Sequence, residues 1–204
     1  MATPTRQRKV IKYRRSFKRF SALINRHVGK GHGITNVFLH RVLTYVTSHI
    51  ANAKKKERKF LGVFPSNKIP SNQILKSVNA KKEKTLVVNL LPTDSPLRTG
   101  HFIFVHVTPK AVAYVDPFGP LTPEPASSVL ERTLRKLSEG RTLRVNTQVI
   151  QDVSSPTCGL FTALFVIQTE ADKSLKEFKW DKKNLKRNDE ICRMYLQRAL
   201  AKYM

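Results

Sequence analysis

An α+β domain carrying a basic helical extension at its N-terminus is the fold class this sequence predicts, on three observations. Apolar residues make up 40% of the 204, which permits a packed core. Beyond residue 60, strand-like and helix-like patterns are interleaved. The charge is also lopsided: 38 Lys and Arg against 14 Asp and Glu give +24 overall. Residues 1–59 hold 16 basic side chains and one acid, Glu57, for a net +15, whereas residues 60–204 hold 22 and 13, for +9. The composition shifts at Lys54-Lys55-Lys56-Glu57-Arg58-Lys59. The expected division is therefore a basic two-helix extension over 1–59 and a second domain over 60–204.

The elements follow in chain order. A basic tail leads into a helix whose apolar residues Phe17, Phe20, Leu23, Ile24 and Val28 recur at three- and four-residue steps. Gly29, Gly31 and Gly33 stop it. Thr35 or Asn36 caps a second helix with the stripe Phe38/Leu39, Val42/Leu43, Val46 and Ile50/Ala53. Thr85–Leu91 reads as a buried strand. Phe102–Val107 and Ala111–Val115 read as a hairpin about Thr108-Pro109-Lys110. Ser127–Leu137 reads as a helix with Val129, Leu130, Leu134 and Leu137 inward, and Thr142–Ile150 alternates as a strand. An apolar helix runs from Thr157 to about Ala171, with Pro156 suited to its first turn. The last helix starts near Asn188, capped by it, with Asp189 and Glu190 in its first turn, and buries Ile191, Met194/Tyr195 and Ala199.

Several classes are excluded. The longest apolar run, Leu160–Ile167, is broken by Thr162 and is far too short for a bilayer. The first twenty residues are basic and lack the apolar core of a secretory signal. Two cysteines, Cys158 and Cys192, supply neither a zinc site nor a disulfide framework, so no metal is expected. A cytosolic or nuclear protein is expected, and the charge points to a polyanion nearby.

Cys158 stands at the predicted start of a helix. A sulfur there faces unpaired backbone N–H groups and the positive end of the helix dipole, which favour negative charge. A nucleophilic thiolate needs a base, and the base an orienting acceptor. The hairpin offers both. His101 opens one strand and Asp116 closes the next, and the midpoint between them falls in the Thr108-Pro109 turn, so antiparallel pairing sets them opposite one another. His106, an odd number of residues from His101, faces the other side of the sheet and is read as structural.

Several stretches resemble the adenovirus endopeptidase (adenain) family of cysteine proteases, which is related to the SUMO-specific proteases. They are Asp116-Pro117-Phe118-Gly119; Thr147-Gln148-Val149-Ile150-Gln151 followed by Cys158-Gly159-Leu160-Phe161; Phe60-Leu61-Gly62-Val63-Phe64; and Leu185-Lys186-Arg187-Asn188. The resemblance covers about residue 60 to the C-terminus. It implies a cysteine protease core, a central mixed sheet flanked by helices, over 60–204. Cys158 would be the nucleophile, His101 the general base and acid, and Asp116 its orienter. Gln151, seven residues before Cys158, would be an oxyanion donor beside the Cys158 backbone N–H, with Gln148 a strand residue. Phe102 stands where the family has Trp and is expected to keep an apolar wall. No cysteine precedes Cys158, so an activating viral peptide could not be tethered by a disulfide upstream of it. No cofactor is implied, and activation by DNA or a viral peptide stays open.

The front end carries no catalytic grouping. Arg6, Arg8, Lys9, Lys12, Arg14, Arg15, Lys54, Lys55 and Lys56 are the expected DNA contacts. Residues 16–53 also resemble the first two helices of a core histone. The apolar stripes lack interfacial Trp, so no membrane partner is expected. The implied function is a viral cysteine endopeptidase that cleaves virion precursor proteins on DNA, in the host nucleus and the virion. Two other readings stay open: a SUMO- or ubiquitin-tail isopeptidase, and a basic DNA-packaging protein with a vestigial protease domain.

Overall fold

The computed structural model describes residues 34–95, 100–120 and 128–203. The expected helix at 17–28, the glycine run at 29–33 and the phosphate contacts Arg6 to Arg15 lie outside the described residues. The order is α1 (Asn36–Lys54), β1 (Phe60–Pro65), α2 (Ser71–Asn79), β2 (Lys84–Asn89), β3 (Phe102–Val107), β4 (Ala111–Val115), α3 (Ser128–Ser138), β5 (Thr142–Val145), α4 (Cys158–Glu170), a 3₁₀ turn at Leu175–Glu177 and α5 (Leu185–Tyr203). The five strands form one mixed sheet in sequence order. β1 and β2 are parallel, β2, β3 and β4 antiparallel, and β4 and β5 parallel.

Two apolar layers cover the sheet. On one face Val87, Phe102 and Phe104 pack with α1, α4 and α5; on the other Leu86, Val88, Ile103, Val105 and Val107 pack with α2 and α3. The central strands are buried on both sides, which is why Thr85 onward reads as a continuous apolar run. Every residue of α4 is buried, so this helix is the axle of the domain and has no polar face. Among the described residues no helix is long and apolar enough to cross a membrane.

α1 begins as expected, with Thr35 as N-cap accepting from the Phe38 N–H. Its partners are not as expected. Leu39, Leu43, Val46 and Ile50 sit in the same core as Phe102, Phe161 and Leu196. The division near Lys59 therefore does not separate two packed units, because the stripe read as an extension is a wall of the domain. The histone-like reading loses its second helix for the same reason. β1 and α2 carried no strand or helix expectation.

Three further expectations change. The strand at 142–150 stops at Val145, and Leu143, expected inward, is 45% exposed. Asn146 ends it by turning its side chain onto backbone groups. Gln148 is accordingly a loop residue. α5 starts at Leu185, with the Asn184 side chain accepting from the Arg187 N–H, so Asn188 is not a cap but a buried residue of the first turn. Its buried stripe is Cys192, Leu196, Ala199 and Leu200, and Met194 is 41% exposed. Pro156 precedes the N-cap of α4, Thr157, and so stands outside the helix.

Candidate active site

Asp116 and His101 meet where the β3–β4 hairpin opens. The hairpin turns on Pro109-Lys110 with Thr108 bonded to Ala111, and Val107 pairs with Val112. That register is offset from the expected one, so in line with it Ile103 rather than His101 stands across from Asp116. The two candidate residues are diagonal neighbours, within reach of an imidazole. His101 Nε2 lies 2.6 Å from Asp116 Oδ1.

The Asp-Pro-Phe-Gly stretch has a local reason for each residue. The Asp116 carboxylate also accepts from the Phe118 N–H at 2.8 Å, and the Gly119 N–H bonds the Asp116 carbonyl at 3.0 Å. That is a β-turn with Pro at its second position and an Asp side chain closing it. Gly119 has φ +102°, and a Cβ there would come within 2.7 Å of Val149 Cγ2. The turn sets Phe118 flat against the His101 ring, with centroids 4.3 Å apart and planes 13° apart.

Cys158 is the first residue of α4 and is 8% exposed. Its Sγ lies 4.0 Å from the Gly100 carbonyl. A Cβ at Gly100 would fall 2.2 Å from Asn89 Oδ1 and 2.5 Å from Leu91 Cγ, so a larger residue would have to displace both side chains. Phe102, the residue expected to keep an apolar wall beside His101, is buried in the core against Gly159. Burial opposes charge on His101, but hydrogen bonding and charge interaction with Asp116 and with Cys158 outweigh it. They raise the imidazole from 6.5 to about 9. Its Nδ1 is buried and makes no hydrogen bond of ordinary geometry, which leaves that nitrogen for Cys158.

Gln151 is fully buried. Its Nε2 donates to the Ser155 carbonyl at 2.6 Å, and its backbone N–H, like that of Ile150, bonds the Pro117 carbonyl at 3.0 Å. The glutamine is thus strapped to the turn that holds the acid. One Nε2 hydrogen is committed to Ser155 and the second is available. Gln148 Nε2 makes no hydrogen bond, and its residue only supplies a carbonyl to Asn146.

Sequence reasoning missed three positioning groups. Asn146 Oδ1 accepts from the Asp116 N–H at 2.8 Å, and its Nδ2 donates to the Asp116 carbonyl at 2.7 Å. Asn188 Nδ2 donates to the Ile150 carbonyl at 3.0 Å. Asp189 accepts from the Ser155 hydroxyl and, at 2.7 Å, from the Thr157 hydroxyl. The only available signal was a polar residue at a helix start, and it was read as capping. His106 lies further along β3 beside Glu83, at 3.5 Å, with burial lowering its pKa.

Of the basic residues expected to touch DNA, Lys54 and Lys56 bond Asp172 at 2.9 and 2.8 Å, while Lys55 ends α1 in a left-handed conformation (φ 53°). Among the described residues no cluster of His, Cys, Asp and Glu could hold a metal ion. A groove of about 580 Å³ between β4–β5 and Phe178–Trp180 reaches Asn146 and Ile150 but not Cys158 or His101.

No family model matches the chain, and no curated protein matches it in sequence. Solved structures do. A form of AvrA with IP6 and CoA is 15% identical with a TM-score of 0.50, over 79% of this chain and 62% of that one. SUMO protease Ulp1 in complex with Smt3, the yeast ortholog of SUMO, is 13% identical with a TM-score of 0.48, over 86% and 80%. The ASFV protease is 15% identical with a TM-score of 0.46, over 74% and 64%. At these identities the likeness is one of fold alone, and the α+β architecture of a mixed sheet flanked by helices is the one expected from the sequence.

Proposed function

We propose that this chain is a cysteine endopeptidase with Cys158 as nucleophile. The observation that carries the reading is the His101–Asp116 bond of 2.6 Å on a ring that also interacts with the sulfur at the start of α4. Cys158 passes its proton to His101, and the sulfur attacks the carbonyl carbon of a peptide bond. The oxyanion takes hydrogen bonds from the second Gln151 Nε2 hydrogen and from the Cys158 N–H, which as a first helical residue has no acceptor within the helix. His101 then protonates the leaving amine, and water, deprotonated by the same ring, releases the acyl group. Asp116 fixes the tautomer and stabilises the imidazolium throughout. A nucleophile only 8% exposed admits a narrow, extended chain better than a folded surface.

The substrates proposed are virion precursor proteins on DNA, in the host nucleus and the particle. The support is electrostatic: residues 1–33 hold ten basic side chains and no acidic one. Such a segment binds polyanions through counterion release. The decisive test is Cys158→Ser, a near-isosteric change that should keep the fold and abolish cleavage of a virion precursor. Cleavage at the wild-type rate would refute the reading, as would failure of an iodoacetamide probe to label Cys158. A wild-type chain that cuts a SUMO conjugate instead would move the activity to the isopeptidase class.

A further inference from the structure

We infer that Asp189, thirty-one residues beyond the nucleophile, is a positioning residue for the oxyanion site; the inference rests on the protease reading above. Segment 150–157 carries Gln151 and delivers Cys158 to the helix start, yet it contains no regular secondary structure of its own. Two adjacent residues of α5 hold it. Asn188 grips its beginning through the Ile150 carbonyl, and Asp189 grips its end by accepting from the hydroxyls of Ser155 and Thr157, whose oxygens lie 2.7 Å apart.

Two consequences bear on the chemistry. Fixing Ser155 fixes its carbonyl, which takes one hydrogen of Gln151 Nε2 and so sets the plane of the amide and the direction of the other hydrogen. Gln151 Oε1 is buried and unpartnered, so nothing on that side holds the amide. Drawing the Thr157 hydroxyl to Asp189 also keeps it from the capping role an N-cap threonine ordinarily takes, and Thr157 makes no side-chain cap here. The Leu160 and Phe161 N–H groups bond the Thr157 carbonyl, and those of Cys158 and Gly159, the first two of α4, are left to face the carbonyl under attack. Asp189 touches neither substrate nor sulfur and acts through Ser155, Thr157 and Gln151.

Two probes of Cys158 separate this role from plain structural support. Acylation by p-nitrophenyl acetate passes through a tetrahedral oxyanion, whereas alkylation by iodoacetamide does not. Cys192 is fully buried, so both reactions report Cys158, and Cys158→Ser supplies the blank. Asp189→Ala in the full chain should slow acylation about tenfold or more, the scale on which misplaced groups lose rate, and leave alkylation within about twofold. In a Gln151→Ala background, Asp189→Ala should cost little further, because the two act through one hydrogen bond. Ser155→Ala, which removes only the hydroxyl link, should reproduce a large part of the effect if Asp189→Ala fails to fold. Equal losses in acylation and alkylation, full multiplication of the Asp189 and Gln151 effects, or no loss at all would each overturn the inference. If wild-type Cys158 reacts no faster than the Cys158→Ser blank with either probe, the protease reading itself fails.

Discussion

Asp116 is held at three of its polar atoms: carboxylate Oδ1 to His101 and Phe118, amide to Asn146, carbonyl to Asn146 and Gly119. The Phe118 bond requires a short side chain, since it closes a turn only two residues on. Asp116→Glu keeps the charge but adds a methylene, and kcat should drop by about tenfold or more as the imidazole is displaced. Gln151→Ala should lower kcat about 10²–10³-fold, and Gln148→Ala much less. Reversed losses in steady-state kinetics would show that the wrong glutamine had been chosen. His101 has its own pH signature. Its folded pKa is raised to about 9, so its stabilisation is fully present below about 6.5 and is lost as the pH rises through 9. The Tm difference between wild type and His101→Gln should therefore shrink across that window; a difference that grew would contradict the His101–Asp116 pairing. The meeting of His101 and Asp116, and the place of Cys158 at a helix start, were legible because each stands at a helix start or a strand end; the roles proposed for them came from the family resemblance. Asn146 and Asp189 were not, because their partners lie thirty or more residues away and polar loop residues carry no period.

At the scale of elements, periodicity located α1, β2, the hairpin, α3 and α4 to within a residue or two, since each buries a continuous stripe or both faces. It failed where burial is partial. β5 is an edge strand with mostly exposed side chains, and alternation extended it through a loop that side chains shape instead. It also failed to say which core α1 joins, because an amphipathic stripe names a face and not a partner. The packing makes a direct prediction. Leu43 is fully buried in the core shared with α4, so Leu43→Ala should destabilise the whole domain by about 2–5 kcal/mol in denaturant unfolding. A near-zero effect on the main transition would return α1 to a separate extension. In the Asp-Pro-Phe-Gly turn, Gly119→Ala combines a positive φ with the Val149 contact and should cost about 1–3 kcal/mol. The same unfolding measurement decides it.

For the whole molecule, the useful cut lies at Ile34 rather than at the lysine run. Ile34 packs against Gly159, one residue from the nucleophile, so removing residues 1–53 would strip the domain of a core helix. Removing residues 1–33 should leave kcat on a short free peptide nearly unchanged and lower the charge from +24 to +14. Polyanion binding should then weaken at low salt, with a shallower slope of log affinity against log salt. Identical slopes for the truncated and full-length chains would remove the tether from the proposal. The grip of α5 on segment 150–157 has a further consequence, for the order of events during synthesis. The ribosome makes His101, Asp116, Gln151 and Cys158 well before it makes Asn188 and Asp189. A nascent chain thus holds every group to which the proposed mechanism gives contact with substrate, but not the helix that holds segment 150–157. On the proposed mechanism, proteolytic competence would arrive late, with the last helix, and a message broken upstream of it would yield a thiol that cannot be aimed.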